Sequence, residues 1–356
     1  MARVTDRRVS TRVGVRRRTV SSLVSGVVVA LLMSLGATVA PSATAAPTSA
    51  APAATTSATV VGSSTGPHGV RYLRVRSAAM RADMQVRVLP ARDPAVPHPT
   101  LYLLNGAQGG FNDSSWFDQT DIVDFFADKN VTVVVPMGGT ASYFADWIRD
   151  DPVLGHQKWA TYLTRELPPL MDSTFGGNGR NALAGISMAG TSVLQLAEQN
   201  PGLYRAVGAY SGCAMTADPM GQAYVRLTVA RGGGNADNLW GVSSDPRWRA
   251  NDPYINAERL RGTSLFISAS TGQPGEYDTI TGPGIDGNIG ELVSRIGVGA
   301  VIETAVRRCT VALKSRLTAL DIPATFRLPP AGTHSWPYWQ DSLHASWPQF
   351  ARALDD

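Results

Sequence analysis

The sequence predicts an α/β fold: a mostly parallel central sheet with helices on both faces. Three observations carry this expectation. Runs such as TLYLLNG (100–106) and VTVVVPMGG (131–139) are short, continuously apolar and closed by glycine, as strands buried on both faces of a parallel sheet are. Segments such as DIVDFFADK (121–129) carry apolar residues at helical spacing instead,. The two kinds alternate along the chain, the order expected of a sheet covered on both sides.

Taken in order, VRYLRVR (70–76) and MQVRVLP (84–90) alternate apolar and polar residues and are predicted as strands with one wet face. TLYLLNG, the helix 121–129 and VTVVVPMGG follow. QKWATYLTRELPPLMD (157–172) is a helix that Pro168 and Pro169 should bend or end, because proline lacks a donor and crowds the preceding turn,. NALAGI (181–186) is a strand and MAGTSVLQLAEQN (188–200) a helix. YRAVGAYSG (204–212), TSLFISAS (263–270) and PATFRLP (323–329) are the remaining strands. The Gly-, Asn- and Asp-bearing stretch 217–251 breaks the alternation and is expected to be an inserted excursion over the mouth of a site,.

The chain has 356 residues, 44% hydrophobic and 17% charged, which suits one large globular domain,. Seven of its 32 Lys and Arg residues and one of its 28 Asp and Glu residues fall in the first 45 positions, leaving 25 basic against 27 acidic in the rest. That balance provides no electrostatic footprint for nucleic acid. The basic start, the apolar run VSSLVSGVVVALLMSLGATVA and the small residues Ala43 and Ala45 predict a signal peptide over residues 1–45, cleaved near Ala45,. An uncleaved anchor is the alternative. Residues 46–65, rich in Ala, Ser, Thr and Pro, are expected to form a flexible linker, with the catalytic domain over 66–353,. Export makes Cys213 and Cys309 an even pair in an oxidising compartment, where a disulfide is expected,.

Ligands on parallel sheets sit beyond the C-terminal strand ends, so the residues just after each apolar run carry the chemistry. Ser187, in NALAGISMAG, stands between a predicted strand and a predicted helix with small neighbours on both sides. This is the setting of the nucleophile elbow of the α/β-hydrolase fold, although Ala189 replaces the usual second glycine, which comes one place later,. An ordinary helix-capping serine is the bland alternative. A serine hydroxyl needs a base, and the base an orienting carboxylate, in the chain order Ser, acid, His. His334, on a Gly-containing loop directly after the last predicted strand, is the candidate base; His344, ten residues on, is expected to pack at a surface. Asp278, Asp286, Glu291 and Glu303 all lie in the right interval, and spacing alone does not choose among them. Glu303 is set in an otherwise apolar turn of a long predicted helix, where pairing with Arg307 is the alternative to a catalytic role,. An oxyanion hole requires two N–H groups, for which Met188 and Ala107 are the candidates,.

LLNGAQ, VVVPMGG with SYFADW after it, GISMAG, WGVSSDPRWRANDP and PPAGTHSWPYW resemble the successive motifs of the secreted mycolyltransferases of mycolic-acid-bearing actinobacteria, the antigen 85 family. The resemblance spans roughly residues 68–350. It implies an α/β-hydrolase fold with Ser187 as nucleophile, Glu303 as acid and His334 as base, and places Ala107 and Met188 on the oxyanion-hole positions. It further implies acyl transfer from trehalose monomycolate to trehalose or cell-wall arabinogalactan through a mycolyl-serine, with no metal or organic cofactor. The implied partners are trehalose mycolates and glycan or lipid acceptors, with peripheral contact to the outer lipid layer. Asn105 and Gln108 replace the family's usual Asp and Arg at positions that hydrogen-bond trehalose, so these contacts lose their charge-assisted strength. Trp336, with Tyr338 and Trp339, is expected either to stack on sugar or to pack the last helix. Water as acceptor, giving a carboxylesterase, and a catalytically silent carbohydrate-binding or adhesin relative are the rival readings.

Overall fold

The computed structural model describes residues 57–355, and its nine strands form one sheet in the order β1-β2-β3-β5-β4-β6-β7-β8-β9. These are β1 Thr59–Thr65, β2 Arg71–Ser77, β3 Ala82–Leu89, β4 His98–Leu104, β5 Thr132–Met137, β6 Gly177–Ile186, β7 Tyr204–Tyr210, β8 Ser264–Ser268 and β9 Ala324–Arg327. From β5 across to β9 every neighbouring pair is parallel, whereas β1, β2 and β3 join as an antiparallel meander. The continuously apolar runs fill the parallel part: β5 is buried at all six residues, and β6 along its last six. The alternating runs fill β2 and β3, whose exposed residues, among them Arg74 and Arg76 on β2 and Asp83 and Gln85 on β3, face water.

Eleven α-helical segments cover the sheet: α1 Trp116–Gln119, α2 Ile122–Phe126, α3 Trp159–Thr161, α4 Leu167–Phe175, α5 Met188–Gln199, α6 Pro219–Arg231, α7 Ala236–Trp240, α8 Arg247–Ala250, α9 Ile289–Ser294, α10 Ala300–Ala319 and α11 Trp336–Asp355. One apolar layer joins Trp116, Ile122 and Phe126 with Trp339, Leu343 and Phe350; the other joins α5 with Tyr162, Leu163, Leu313 and Leu317. The fold class read from the sequence is thus the observed one.

Two expectations are corrected and a third gains detail. Residues 59–65, read as the end of a flexible linker, form β1 and pair with β2 from Thr59↔Arg76 to Thr65↔Arg71. Their small polar side chains carry no strong strand pattern, so the pairing is dictated by the neighbouring edge. Pro168 and Pro169 do not end their helix: a widened turn over 162–166 precedes them, and they occupy the first turn of α4, where a missing N–H costs little,. The stretch 217–251 is an excursion, but α6, α7 and α8 fold it. Asp218 caps α6 through the N–H groups of Met220 and Gly221, and Trp240 packs on Tyr143. Asp252 closes the excursion by accepting the N–H groups of Ala217 at 2.7 Å and Ile255 at 2.8 Å. The expected signal peptide and residues 46–56 lie outside the described residues. Among the described residues no helix is long and apolar enough to cross a membrane.

Candidate active site

The strand order reverses around β4, which lies between β5 and β6. Loops leaving β4 and β6 therefore diverge and open a crevice at the strand ends. Ser187 stands at the end of β6 with φ 56° and ψ −123°, a left-handed backbone that a non-glycine residue holds only where its surroundings impose it,. Its N–H donates to Tyr210 O at 2.8 Å, and its carbonyl accepts Gly190 N at 2.9 Å. Gly190 explains the shifted glycine of the motif. A Cβ at that position would meet Tyr210 O at 2.6 Å and Gly212 N at 2.9 Å, so it is Gly190 that lets α5 approach the end of β7,. Ala189 meets no such demand.

The imidazole of His334 bridges to the serine. His334 Nε2 lies 2.8 Å from Ser187 Oγ, and Nδ1 lies 2.7 Å from Glu303 Oε2. Glu303 is 1% exposed, and its other oxygen accepts Ser270 N at 2.7 Å and Ser211 Oγ at 2.9 Å. A carboxylate receiving Nδ1–H fixes the tautomer in which Nε2 offers its lone pair to the serine hydroxyl. Ser211, at the end of β7 with φ 51°, also accepts Trp339 Nε1 at 3.0 Å, and the Trp339 ring stands edge-on to His334 at 4.9 Å.

The structure thus brings together Ser187, Glu303 and His334, and it separates the other candidates. Arg307 does not pair with Glu303; it donates to Ala269 O at 2.7 Å. His344 lies at the surface, bonded to Asp121 at 2.9 Å and stacked on Phe125. Asp286 and Glu291 are exposed. Asp278 has a different place, one that sequence spacing did not reveal. Its carboxylate accepts Thr333 Oγ1 at 2.7 Å, Gly275 N at 2.8 Å and Tyr338 OH at 2.7 Å, tying the loop after β8 to the residue before His334. Burial and this acidic neighbour push the Tyr338 hydroxyl well above its ordinary pKa. Gly332 N donates to Gln273 O at 2.7 Å and its carbonyl accepts Gly272 N at 3.0 Å, a second tie between the same two loops.

Loop 105–110 lies beside the serine, since a Cβ built on Gly106 would be 3.6 Å from Ser187 Cβ. Its shape is fixed by Gly138 N donating to Gly109 O at 2.7 Å and Ala141 N to Ala107 O at 2.9 Å. Ala107 and Met188 therefore flank Ser187, one on this loop and one at the start of α5. The substrate contact expected at Asn105 is corrected by burial, while Trp336 takes the packing role that was one of its two expected alternatives. Asn105 is fully enclosed: its amide donates to Pro136 O at 3.3 Å and its oxygen accepts Trp116 N at 3.2 Å, so it braces the loop from beneath. Trp336 is half-buried and packs edge-on against Trp116 and Trp339. Gln108 alone of the three is exposed. A cavity of about 240 Å³ is lined by Met80, Met84, Phe111, Met137 and Trp159 among others; none of the Ser187, Glu303 and His334 side chains lines it. Among the described residues no cluster of His, Cys, Asp and Glu is placed to hold a metal ion.

This fold, with an elbow serine in series with histidine and glutamate, defines a class of serine-dependent esterases and acyl-transferring enzymes. Residues 77–350 match the family described as "Putative esterase", and the chain belongs to that family. Relatives of the chain include mycolyltransferases. The chain is 31% identical over 296 residues to diacylglycerol acyltransferase/mycolyltransferase Ag85A of Mycobacterium leprae, covering 80% of this chain and 83% of that one. It is also 31% identical over 295 residues to the Ag85B enzyme of Mycobacterium avium, with the same coverage. Among solved structures, Mycobacterium tuberculosis MPT51 (FbpC1) superposes with a TM-score of 0.66 at 22% identity, covering 80% of this chain and 98% of that one. An S-formylglutathione hydrolase from Agrobacterium tumefaciens shares the fold at TM-score 0.59 and 16% identity, covering 83% and 99%.

Proposed function

We propose that the protein is an exported serine acyltransferase that moves a mycolyl group from trehalose monomycolate to trehalose or cell-wall arabinogalactan. The observation that carries this reading is the unbroken series from Ser187 through His334 to Glu303, with contacts of 2.8 and 2.7 Å, in a chain whose relatives include mycolyltransferases.

In the first half-reaction His334 Nε2 takes the Ser187 proton as Oγ attacks the ester carbonyl, and the N–H groups of Ala107 and Met188 receive the developing oxyanion. Trehalose leaves with the proton from His334, and the acyl group stays on Ser187. An acceptor hydroxyl then gives its proton to His334 and attacks the acyl-enzyme, restoring the serine. Glu303 holds the imidazole throughout. The chemistry requires neither a metal nor an organic cofactor.

Contact with a lipid layer is supported by the approach to α10. Ile289, Val293, Ile296, Val298 and Val301 are exposed at 38–71% along the segment that ends two residues before Glu303. Exposed apolar side chains this close to the acid suit a substrate bearing a long acyl chain.

The test is turnover of trehalose monomycolate with trehalose as acceptor. Trehalose dimycolate is the expected product; free mycolate alone would replace the transferase reading with the carboxylesterase one, which the family's esterase description favours. Labelling with a fluorophosphonate should modify Ser187. An unlabelled Ser187 in folded protein would favour a silent carbohydrate binder or adhesin.

A further inference from the structure

The serine immediately precedes α5 and the glutamate stands on α10, and one residue is bonded to both helices. Cys213 is tied to α5 by a reciprocal pair: its N–H donates to Thr191 Oγ1 at 3.1 Å, and its carbonyl accepts the same hydroxyl at 3.0 Å. Thr191 is four residues beyond Ser187, in the first turn of α5. On its other side Cys213 is disulfide-bonded to Cys309 of α10, across a Cα separation of 5.0 Å and 96 residues of chain. Cys309 lies six residues beyond Glu303, roughly 9 Å along the helix axis. Thr191, Cys213 and Cys309 therefore form a strap that runs from the helix of the nucleophile to the helix of the acid.

The first half of α10 needs such a strap. Between Ala300 and Cys309 only Glu303, Val306 and Cys309 are buried, so Val306 is the one fully buried aliphatic side chain seating that half of the helix, with Ile302 and Ala305 half-buried beside it. Val301 is 71% exposed. The other attachments are discrete: Thr304 Oγ1 donates to Thr271 O at 3.0 Å, and Arg307 to Ala269 O at 2.7 Å. Hydrophobic packing resists displacement in proportion to the area it removes from water, and here that area is small.

We propose that the Cys213–Cys309 bridge, anchored by Thr191, positions Glu303 for catalysis, so that full turnover requires the oxidised cystine. Cys309 and Cys213 touch neither substrate nor the reacting atoms; they act through Glu303. The inference rests on Ser187 being the nucleophile, not on the identity of the acceptor.

The experiment follows hydrolysis of p-nitrophenyl butyrate by the full chain, in four forms: wild type, Cys213→Ser/Cys309→Ser, Glu303→Gln, and all three substitutions together. A displacement of Glu303 of the order of 1 Å predicts that the serine pair lowers kcat by roughly 10- to 100-fold with KM within about twofold. In the Glu303→Gln background the same pair should change kcat by less than about twofold, the non-additivity of groups that act as one unit. The low-field imidazole N–H proton resonance of the His–carboxylate bond should weaken in the serine pair. Thr191→Val should give a smaller loss in the same direction. If the cystine is merely stabilising, its loss would lower the melting temperature and leave kcat, the cycle and the resonance unchanged, and that outcome overturns the proposal. So does a serine pair whose loss multiplies with that of Glu303→Gln. If the serine pair does not fold, mild reduction of folded wild type under circular dichroism gives the same readout: kcat should fall and return on reoxidation, and constant kcat overturns the proposal. Turnover that survives Ser187→Ala would overturn the nucleophile reading itself, which the other arms leave untouched.

Discussion

Helices α5 and α10 each present one end of the catalytic series, and they are held in different ways. In α5, eleven residues from Met188 to Glu198 are buried, and the helix lies against β6 and β7 with glycine at its closest approach. In the first half of α10, three residues are buried, one of them Glu303 with its bonds to Ser211, Ser270 and His334, and the other directed attachments are a cystine, a threonine and an arginine. The nucleophile is positioned by packing, the acid by a few directed bonds. Packing fixes a position through many small contacts and tolerates no added volume, whereas directed bonds can be removed one at a time. The two ends of the site should therefore fail differently.

The largest effects come from the reacting groups. Ser187→Ala and His334→Ala should each lower kcat by roughly 10⁴-fold or more, with no further loss on combining them, because the two act as a unit. Single-turnover acylation by an activated ester reads this directly. Glu303→Gln should cost about 10³- to 10⁴-fold, since the amide presents the wrong tautomer to His334 while keeping the shape. If it cost less than about tenfold, Asp278 would be the next residue to test as the orienting acid.

On the α5 side, Gly190→Ala sharpens the comparison. The added methyl would meet backbone atoms of Tyr210 and Gly212 at 2.6–3.0 Å, and backbone does not yield as a flexible side chain does. The expected loss is about 3 kcal/mol of stability, from urea unfolding, with activity falling in parallel. Val301→Ala, on the exposed face of α10, should change stability by less than about 0.5 kcal/mol.

The same contrast explains what the sequence disclosed. Apolar runs and their glycine stops announced β4 to β8 and placed Ser187 at a strand end, because packing leaves its mark locally. His334 was distinguished from His344 by its position after the last strand. Glu303 was not distinguishable from Asp278, Asp286 and Glu291 by spacing, because what selects it is the meeting of Ser211, Ser270 and His334 around one carboxylate. That meeting exists only in the folded chain. Asn105 misled for a related reason: the family resemblance reads it as a trehalose contact, but the hydrogen-bonding needs of Trp116 and Pro136 claim it from below. β1 was hidden because an edge strand of Thr, Val, Gly and Ser depends on its neighbour, not on its own pattern,.

Burial around α5 is so complete that it encloses a carboxyl group with nothing to bond. Glu198 is 1% exposed, and neither carboxyl oxygen has a hydrogen-bond partner among the described residues. Burial foremost, and then the nearby Asp252, push its pKa up to about 9, against which Arg259 acts in the opposite sense. In the unfolded chain the group titrates near 4.3. Between those values the folded protein holds a proton that the unfolded chain has lost, so this residue's contribution to stability declines as pH rises and is exhausted above about pH 9,. Glu198→Gln keeps the shape without the titration, though its amide also lacks a partner. The variant should be more stable than wild type by about 2–4 kcal/mol at pH 8, the roughly 5 kcal/mol that wild type loses from the unfolded pKa up to that pH less about 1–3 kcal/mol for the unpartnered amide,. The gap should narrow as pH is lowered toward 5, while turnover at pH 7 changes little because Glu198 lies at the end of α5 away from Ser187. Urea unfolding at three pH values checks it. A wild type and variant that lose stability in parallel from pH 5 to 9 would mean that the helix of the nucleophile opens enough to hydrate Glu198, and that packing holds this side of the site less firmly than its burial implies.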